Sequence, residues 1–269
     1  MAVDLAFSDI GSGSPLVVLH GLFGSRRNWA TVAARLSRRH RVLTVDLRNH
    51  GESPWQDAHD YDALADDVAG FMRRHLGGPA AVLGHSMGGK AAMILALSRP
   101  ELVTRLVVVD IAPAASRPDV PRDCLRAMRA VSLPDLPRRS AVVAALEASV
   151  PSPATRAFLA QNVVATADGL RWILNLEALE RCLPAISGFP EVPESRRFAG
   201  PTLFVAGGSS DFIRPEHRPE IGRLFPSATI ATVAGAGHWV HADAPEAFVD
   251  LVDRFLADGI PVPPDAHED

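Results

Sequence analysis

The stretch AAVLGHSMGGKAAMILALSRP, residues 80–100, decides the fold. It opens on a short apolar run that suits a buried strand, and from Met87 onward it has the make-up of a helix. Between the two, Ser86 stands among Gly84, Gly88 and Gly89. A plain connection does not need three glycines around one hydroxyl. A turn too tight for flanking side chains does, because only hydrogen fits beside the backbone there. Such a turn lifts the hydroxyl to a helix N-terminus, whose dipole favours developing negative charge. Residues 84–88 match G-x-S-x-G in the strand–turn–helix setting that gives the pattern meaning. The bland alternative is a packing turn with a capping serine.

Working outward, further apolar runs lie at 15–20, 41–46, 105–110, 201–207 and 228–235. They are continuous rather than alternating, as expected of parallel strands covered on both faces. Helical spacing fills the intervals, as in Leu64, Val68, Phe71, Met72 and Leu76, and again over residues 87–98 and 245–257. The pattern predicts an α/β fold with a doubly wound, mostly parallel sheet. The alternation breaks after Asp110, and residues 112–199 read as an all-helical insertion punctuated by prolines. That places a helical cap over the C-terminal sheet edge, where open α/β folds bind ligands. Residues 1–111 and 200–260 then form the core, and 261–269 a loose tail.

The chain has 269 residues, a formal net charge of −4 and 47% hydrophobic residues, enough for a large core. Nothing in that balance argues for nucleic acid or a membrane surface as partner. Cys124 and Cys182 form no disulfide framework and no metal-ligand spacing, and Lys90 is the only lysine. The acidic, arginine-free N-terminus and the lack of a long apolar run lead to the expectation of a cytoplasmic protein.

A serine hydroxyl needs a general base. His238 is the best candidate, in a glycine-rich loop after the last strand that returns to the edge holding Ser86. His241 is assigned to the following helix, His85 must point away from the nucleophile, and His59, His75, His217 and His267 read as surface. The base needs a carboxylate to hold its tautomer. Asp110, ending its strand, and Asp211, just after the next one, compete for that role. Donors for an oxyanion come from the backbone N–H groups of Leu22, in LHGLFGS (19–25), and of Met87. His20 braces that loop. The side chains of Leu22, Phe23 and Met87 are free to line a pocket. Trp239 and Trp172 are candidate substrate contacts, the latter sharing helical spacing with Leu176 and Leu179. The run DLRNHGES (46–53) reads as a pinned loop rather than a metal site, and Lys90 as one half of a structural ion pair rather than an anchor for an acidic substrate.

The order Ser, Asp, His holds whichever aspartate serves. With HGLFGSRRNW (20–29), VDLRNHGESPW (45–55), GHSMGGKAAM (84–93), VVVDIAP (107–113), RWILNLEAL (171–179) and GAGHWVHAD (235–243), the chain resembles α/β-hydrolase fold serine esterases. More narrowly it resembles the YbfF-type esterases and their ABHD11-like relatives. The resemblance implies hydrolysis of carboxylic esters or acyl thioesters through an acyl-enzyme, without a cofactor or metal. Such relatives carry GGNSPYV-like text where this chain has GGSSDFI, which favours Asp110; Asp211 matches the commoner site in the wider fold. Serine at position 86 argues against haloalkane dehalogenases and epoxide hydrolases, which use aspartate there. A cofactor-free haloperoxidase, a C–C hydrolase and a slow ligand receptor remain rival readings, because a fold does not dictate a substrate.

Overall fold

Valine- and leucine-rich runs become the middle of one seven-stranded sheet in the computed structural model, which describes residues 2–258. The expected tail at 261–269, and His267, lie outside the described residues. In chain order the first elements are β1 (Phe7–Ile10), β2 (Pro15–Leu19), α1 (Ala30–Leu36), β3 (Arg41–Val45), α2 (Tyr61–His75), β4 (Ala80–His85), α3 (Met87–Ser98) and β5 (Val103–Val109). The segment that follows holds α4 (Asp119–Ala130), α5 (Arg139–Ala145), α6 (Pro153–Ala160), β6 (Val163–Thr166), β7 (Gly169–Trp172), α7 (Leu176–Arg181) and α8 (Leu183–Ser187). The chain then completes the sheet with β8 (Thr202–Gly207), α9 (Arg218–Leu224), β9 (Ala228–Val233), α10 (Val240–Asp243) and α11 (Pro245–Asp258).

The sheet order is β1-β3-β2-β4-β5-β8-β9, parallel except for β1. That edge strand, FSDI, is exposed and half polar, so it carries no buried apolar signal. Along the central strands alternate residues serve opposite faces. Leu16, Val18, Leu83, Val107 and Val205 pack with α1 and α11; Val17, Leu19, Val82, Val108 and Phe204 pack with α2 and α3. Apolar residues at every position are therefore required, which is why the runs are continuous.

The segment between β5 and β8 corrects one expectation. It is not all helical: Val163–Thr166 and Gly169–Trp172 pair as an antiparallel hairpin, with Asp168 and Gly169 at its turn. Four-residue strands are too short to display a period, and the Asp-Gly pair is the local signal for the turn. Trp172 consequently ends a strand rather than sharing a helical face with Leu176 and Leu179. The cap has no separate core. Leu125, Met128, Leu159, Leu179 and Ile186 belong to the same apolar cluster as α2 and α3.

Candidate active site

Ser86 sits between β4 and α3 with φ 52° and ψ −118°, a conformation that strains any residue with a Cβ. The glycines make room for it. A Cβ on Gly84 would lie 2.2 Å from the Gly88 carbonyl oxygen, and one on Gly88 2.5 Å from that of His20. The Ser86 N–H donates to Val109 O over 3.0 Å, which fastens the strained turn to β5.

The loop after β9 brings His238 to this turn, with Nε2 3.1 Å from Ser86 Oγ. On the other side, Nδ1 lies 2.8 Å from Asp110 Oδ2. An ionised carboxylate only accepts, so that contact places the proton on Nδ1 and leaves the Nε2 lone pair toward the hydroxyl. Asp110 is fully buried at the end of β5, whereas the His238 side chain is 28% exposed. Asp110 also accepts from Gly207 N–H at 2.9 Å and from Ser210 Oγ at 2.5 Å. Its φ of 49° turns the side chain along the sheet edge toward the imidazole.

Asp211, the rival carboxylate, is exposed and stands at the cavity mouth without a bond to His238. Its neighbours take the space beside the imidazole: Ser210 binds Asp110, and the Phe212 ring stacks on His238 at 4.0 Å between centroids. Ser210, Gly207 N–H and Phe212 escaped notice in the sequence. They lie within two residues on either side of the carboxylate under suspicion, or at the strand end, and only the fold reveals which of them turns inward.

Leu22 and Met87 line the same cavity as Ser86, Met87 being the next residue in the chain. Among the described residues neither backbone N–H has a protein acceptor. Phe23, next to Leu22, adopts φ 61° and is gripped twice. Its N–H donates to His50 Nε2 at 3.3 Å, and its carbonyl accepts from Asn162 Nδ2 at 2.7 Å. His20 braces the same loop, with Nδ1 2.8 Å from Gly21 O and Nε2 accepting from Leu47 N–H at 3.0 Å.

The 46–53 loop is pinned as expected. Arg48 makes a two-pronged pair with Asp67 at 2.6 and 2.8 Å, both side chains being buried, and Asp46 receives Arg26 N–H at 2.7 Å. Three other expectations need correction. His59 is not on the surface: although its neighbours in 54–60 are exposed, its own ring turns inward, with Nε2 3.4 Å from Met87 Sδ. His75 and His217 are half-buried, His75 against Phe7 and Phe71. Among the described residues Lys90 has no carboxylate partner, and it binds the Ser187 and Gly188 carbonyls instead.

Burial holds the supporting histidines neutral. It lowers His20 to about 4 and, with the neighbouring His20, His50 to about 3. His241, stacked on Trp29 in α10, falls to about 4, and His59 and His85 lie well below their ordinary value. His85 points away from Ser86, its Nε2 lying 2.9 Å from the His238 carbonyl.

Ser86 and His238 line a cavity of about 660 Å³ to which Phe158, Leu159 and Ile186 of the 112–199 segment also contribute. Leu22, Phe23, Met87, Ile111, Phe158 and Trp239 supply much of its apolar wall, and Trp239 packs on Phe158 at 5.3 Å. Trp172 is not in that wall. It packs half-buried against the core, so it is no substrate contact here. No group of three or more potential metal ligands occurs among the described residues. None of the described helices is long and apolar enough to cross a membrane.

Residues 14–245 match the family described as the alpha/beta hydrolase fold, and the chain belongs to that family. It is 45% identical over 249 residues to the sn-1-specific diacylglycerol lipase ABHD11 of Mus musculus, covering 90% of this chain and 80% of that protein. It is 34% identical over 247 residues to the esterase YbfF of Escherichia coli K12, covering 92% and 94% respectively. Among solved structures, a marine microorganism esterase superposes with a TM-score of 0.91 at 33% identity, covering 94% of this chain and all of that one.

Proposed function

We propose that this carboxylic ester hydrolase works through an acyl group carried on Ser86, with the acyl chain in the cavity under the cap. The observation that carries the reading is the continuous relay from Ser86 Oγ to His238 at 3.1 Å and on to Asp110 at 2.8 Å. The free N–H groups of Leu22 and Met87 beside it complete the requirement for acyl transfer. Relatives named as a diacylglycerol lipase and as esterases support esters as the substrate class.

In the first half-reaction Ser86 Oγ attacks the ester carbonyl and its proton passes to His238 Nε2. The carbonyl π electrons move to oxygen, and that oxyanion is received by the two backbone N–H groups. The tetrahedral species collapses, the C–O bond to the alcohol breaks, and His238 returns the proton to the departing alkoxide. Water repeats the sequence and releases the acid. Buried Asp110, 2.8 Å from Nδ1, orients the ring throughout. A thioester carbonyl fits the same steps, with a thiolate leaving.

A fluorophosphonate tests the nucleophile directly. The expected result is one adduct by intact mass, mapped to Ser86 and absent from Ser86→Ala. A receptor that merely retained the pocket takes no adduct. A p-nitrophenyl ester series from acetate to decanoate, run beside matching acyl-CoAs, then defines chain length and leaving group. Labelling at another residue sinks the assignment.

A further inference from the structure

Lys90 presents a physical problem that the ester chemistry leaves unsolved. It lies on α3 four residues after the N-cap Ser86, a little over one turn or about 6 Å further along the axis. It is 1% exposed and lines the cavity. Its ammonium reaches Gly188 O at 2.7 Å, Ser187 O at 3.2 Å and Ser116 Oγ at 3.4 Å, and lies 5.8 Å from the Tyr61 ring. These contacts account for its hydrogens but leave its charge without a counter-ion. Among the described residues no carboxylate comes within 4.0 Å of Nζ. A buried charge without an opposite partner is unfavourable, and the open side of this one is the cavity.

The same wall carries other donors. Arg117 is exposed at the cavity mouth and pairs with no carboxylate among the described residues. His217 accepts from Arg214 N–H through Nδ1 at 3.1 Å, which leaves Nε2–H as a donor. Burial, then Arg214 and, last in order, Lys90 push His217 below its ordinary value, while Glu216 and a hydrogen bond to the Phe212 backbone oppose them. Arg214 itself is engaged by Glu216 at 2.9 Å. Two carboxylates share the lining: Asp211, exposed, and Asp243, which receives Gly237 N–H at 2.8 Å. Neither pairs with Lys90.

We infer that Lys90, with Arg117 and His217, forms an anion subsite for a carboxylate carried on the substrate a few carbons from the scissile carbonyl. The substrate class is the half-ester of a dicarboxylic acid. The subsite rests on the ester-hydrolase reading above and narrows it. The apolar wall takes the carbon chain, and the ammonium supplies a charged end-point. Anchoring the remote end orients the carbonyl over Ser86.

Ethyl hexanoate and monoethyl adipate have equal acyl length and differ in the terminal carboxylate. Their kcat/KM values are compared at pH 7 for the wild type, Lys90→Met and Arg117→Gln. The ratio of half-ester to neutral ester is expected to fall about tenfold in Lys90→Met and about threefold in Arg117→Gln. Free adipate competes with the half-ester on the wild type and loses potency in Lys90→Met by the same factor as the ratio. Loss of cap support lowers both esters together, so a ratio that Lys90→Met leaves unchanged overturns the subsite whatever the absolute rates. Where Lys90→Met does not fold, Arg117→Gln and adipate competition on the wild type decide. An unmoved ratio with no competition overturns the subsite there too. If ethyl hexanoate is hydrolysed with the ratio unmoved, the subsite alone fails. If neither ester reacts and Ser86 takes no fluorophosphonate, the ester-hydrolase reading has failed first.

Discussion

Asn162 donates from Nδ2 to the carbonyl oxygen of Phe23, which lines the same cavity as Ser86, over 2.7 Å. The sheet side holds the same residue, through Phe23 N–H to His50 Nε2 at 3.3 Å. A strained loop that offers the Leu22 N–H is thus clamped between core and cap. The fold places the two clamping residues 112 positions apart, as their numbers 50 and 162 show.

Loosening the clamp should misplace an oxyanion donor without touching substrate. Asn162→Ala is expected to lower kcat about tenfold, near 1.4 kcal/mol, with KM little changed. An alkyl boronic acid, which mimics the tetrahedral oxyanion, should lose affinity in proportion. His50→Gln, which retains an acceptor, should keep more activity than His50→Ala. A variant that merely melts earlier, with kcat and boronate affinity intact, shows the clamp to be structural only.

The two aspartates can be separated by kinetics. Asp110→Asn replaces an ionised acceptor facing His238 Nδ1 and is expected to cut kcat by roughly 10⁴, the scale known for a triad aspartate. Asp211→Asn, at an exposed mouth position, should stay within about twofold of the wild type on a neutral ester. Equal losses in both variants contradict the geometry.

Ser210 donates to the carboxylate oxygen of Asp110 that also meets His238. A hydrogen bond to a buried charge contributes about 1.5–3 kcal/mol. Ser210→Ala should therefore reduce kcat by about tenfold or more. Ser210→Thr retains the hydroxyl and should restore most of the rate. No difference between the two substitutions counts against the role.

Five buried histidines make acid stability measurable. His20, His50, His59, His85 and His241 are all held below their ordinary value, chiefly by burial. The folded state keeps them neutral while the unfolded chain protonates near pH 6.5, so the unfolded state binds more protons below that pH. Stability is complete from about a unit above pH 6.5 and falls as the pH drops through 6.5 toward about 4 for His20 and His241 and about 3 for His50. Each group contributes a slope of up to about 1.4 kcal/mol per pH unit. Urea unfolding at pH 8.5, 7.5 and 5.5 should give nearly equal midpoints for the first two and a marked drop at the third. A flat profile across that range rules out the neutral cluster.

Much of the frame was legible before any coordinates. Continuous valine and leucine runs mark strands covered on both faces, and the glycines around Ser86 announce a turn that tolerates no Cβ. Local chemistry carried those readings. β1 and the 163–172 hairpin escaped because four-residue strands, one exposed and one in the cap, lack a period long enough to read. His59 looked exposed because its neighbours are polar; its burial is a property of the partner segment, which its own neighbours do not encode.

The sequence by itself determined the alternation of strands and helices, the strained serine, and a histidine on the loop after the last strand. Placing Asp110 rather than Asp211 at that histidine, leaving Lys90 without a counter-ion among the described residues and joining Asn162 to Phe23 belonged to the tertiary structure. The physical reason is distance along the chain. Hydrogen patterns and steric limits act over a few residues, whereas a hydrogen bond or an unpaired charge depends on which remote groups the sheet order and the cap bring together.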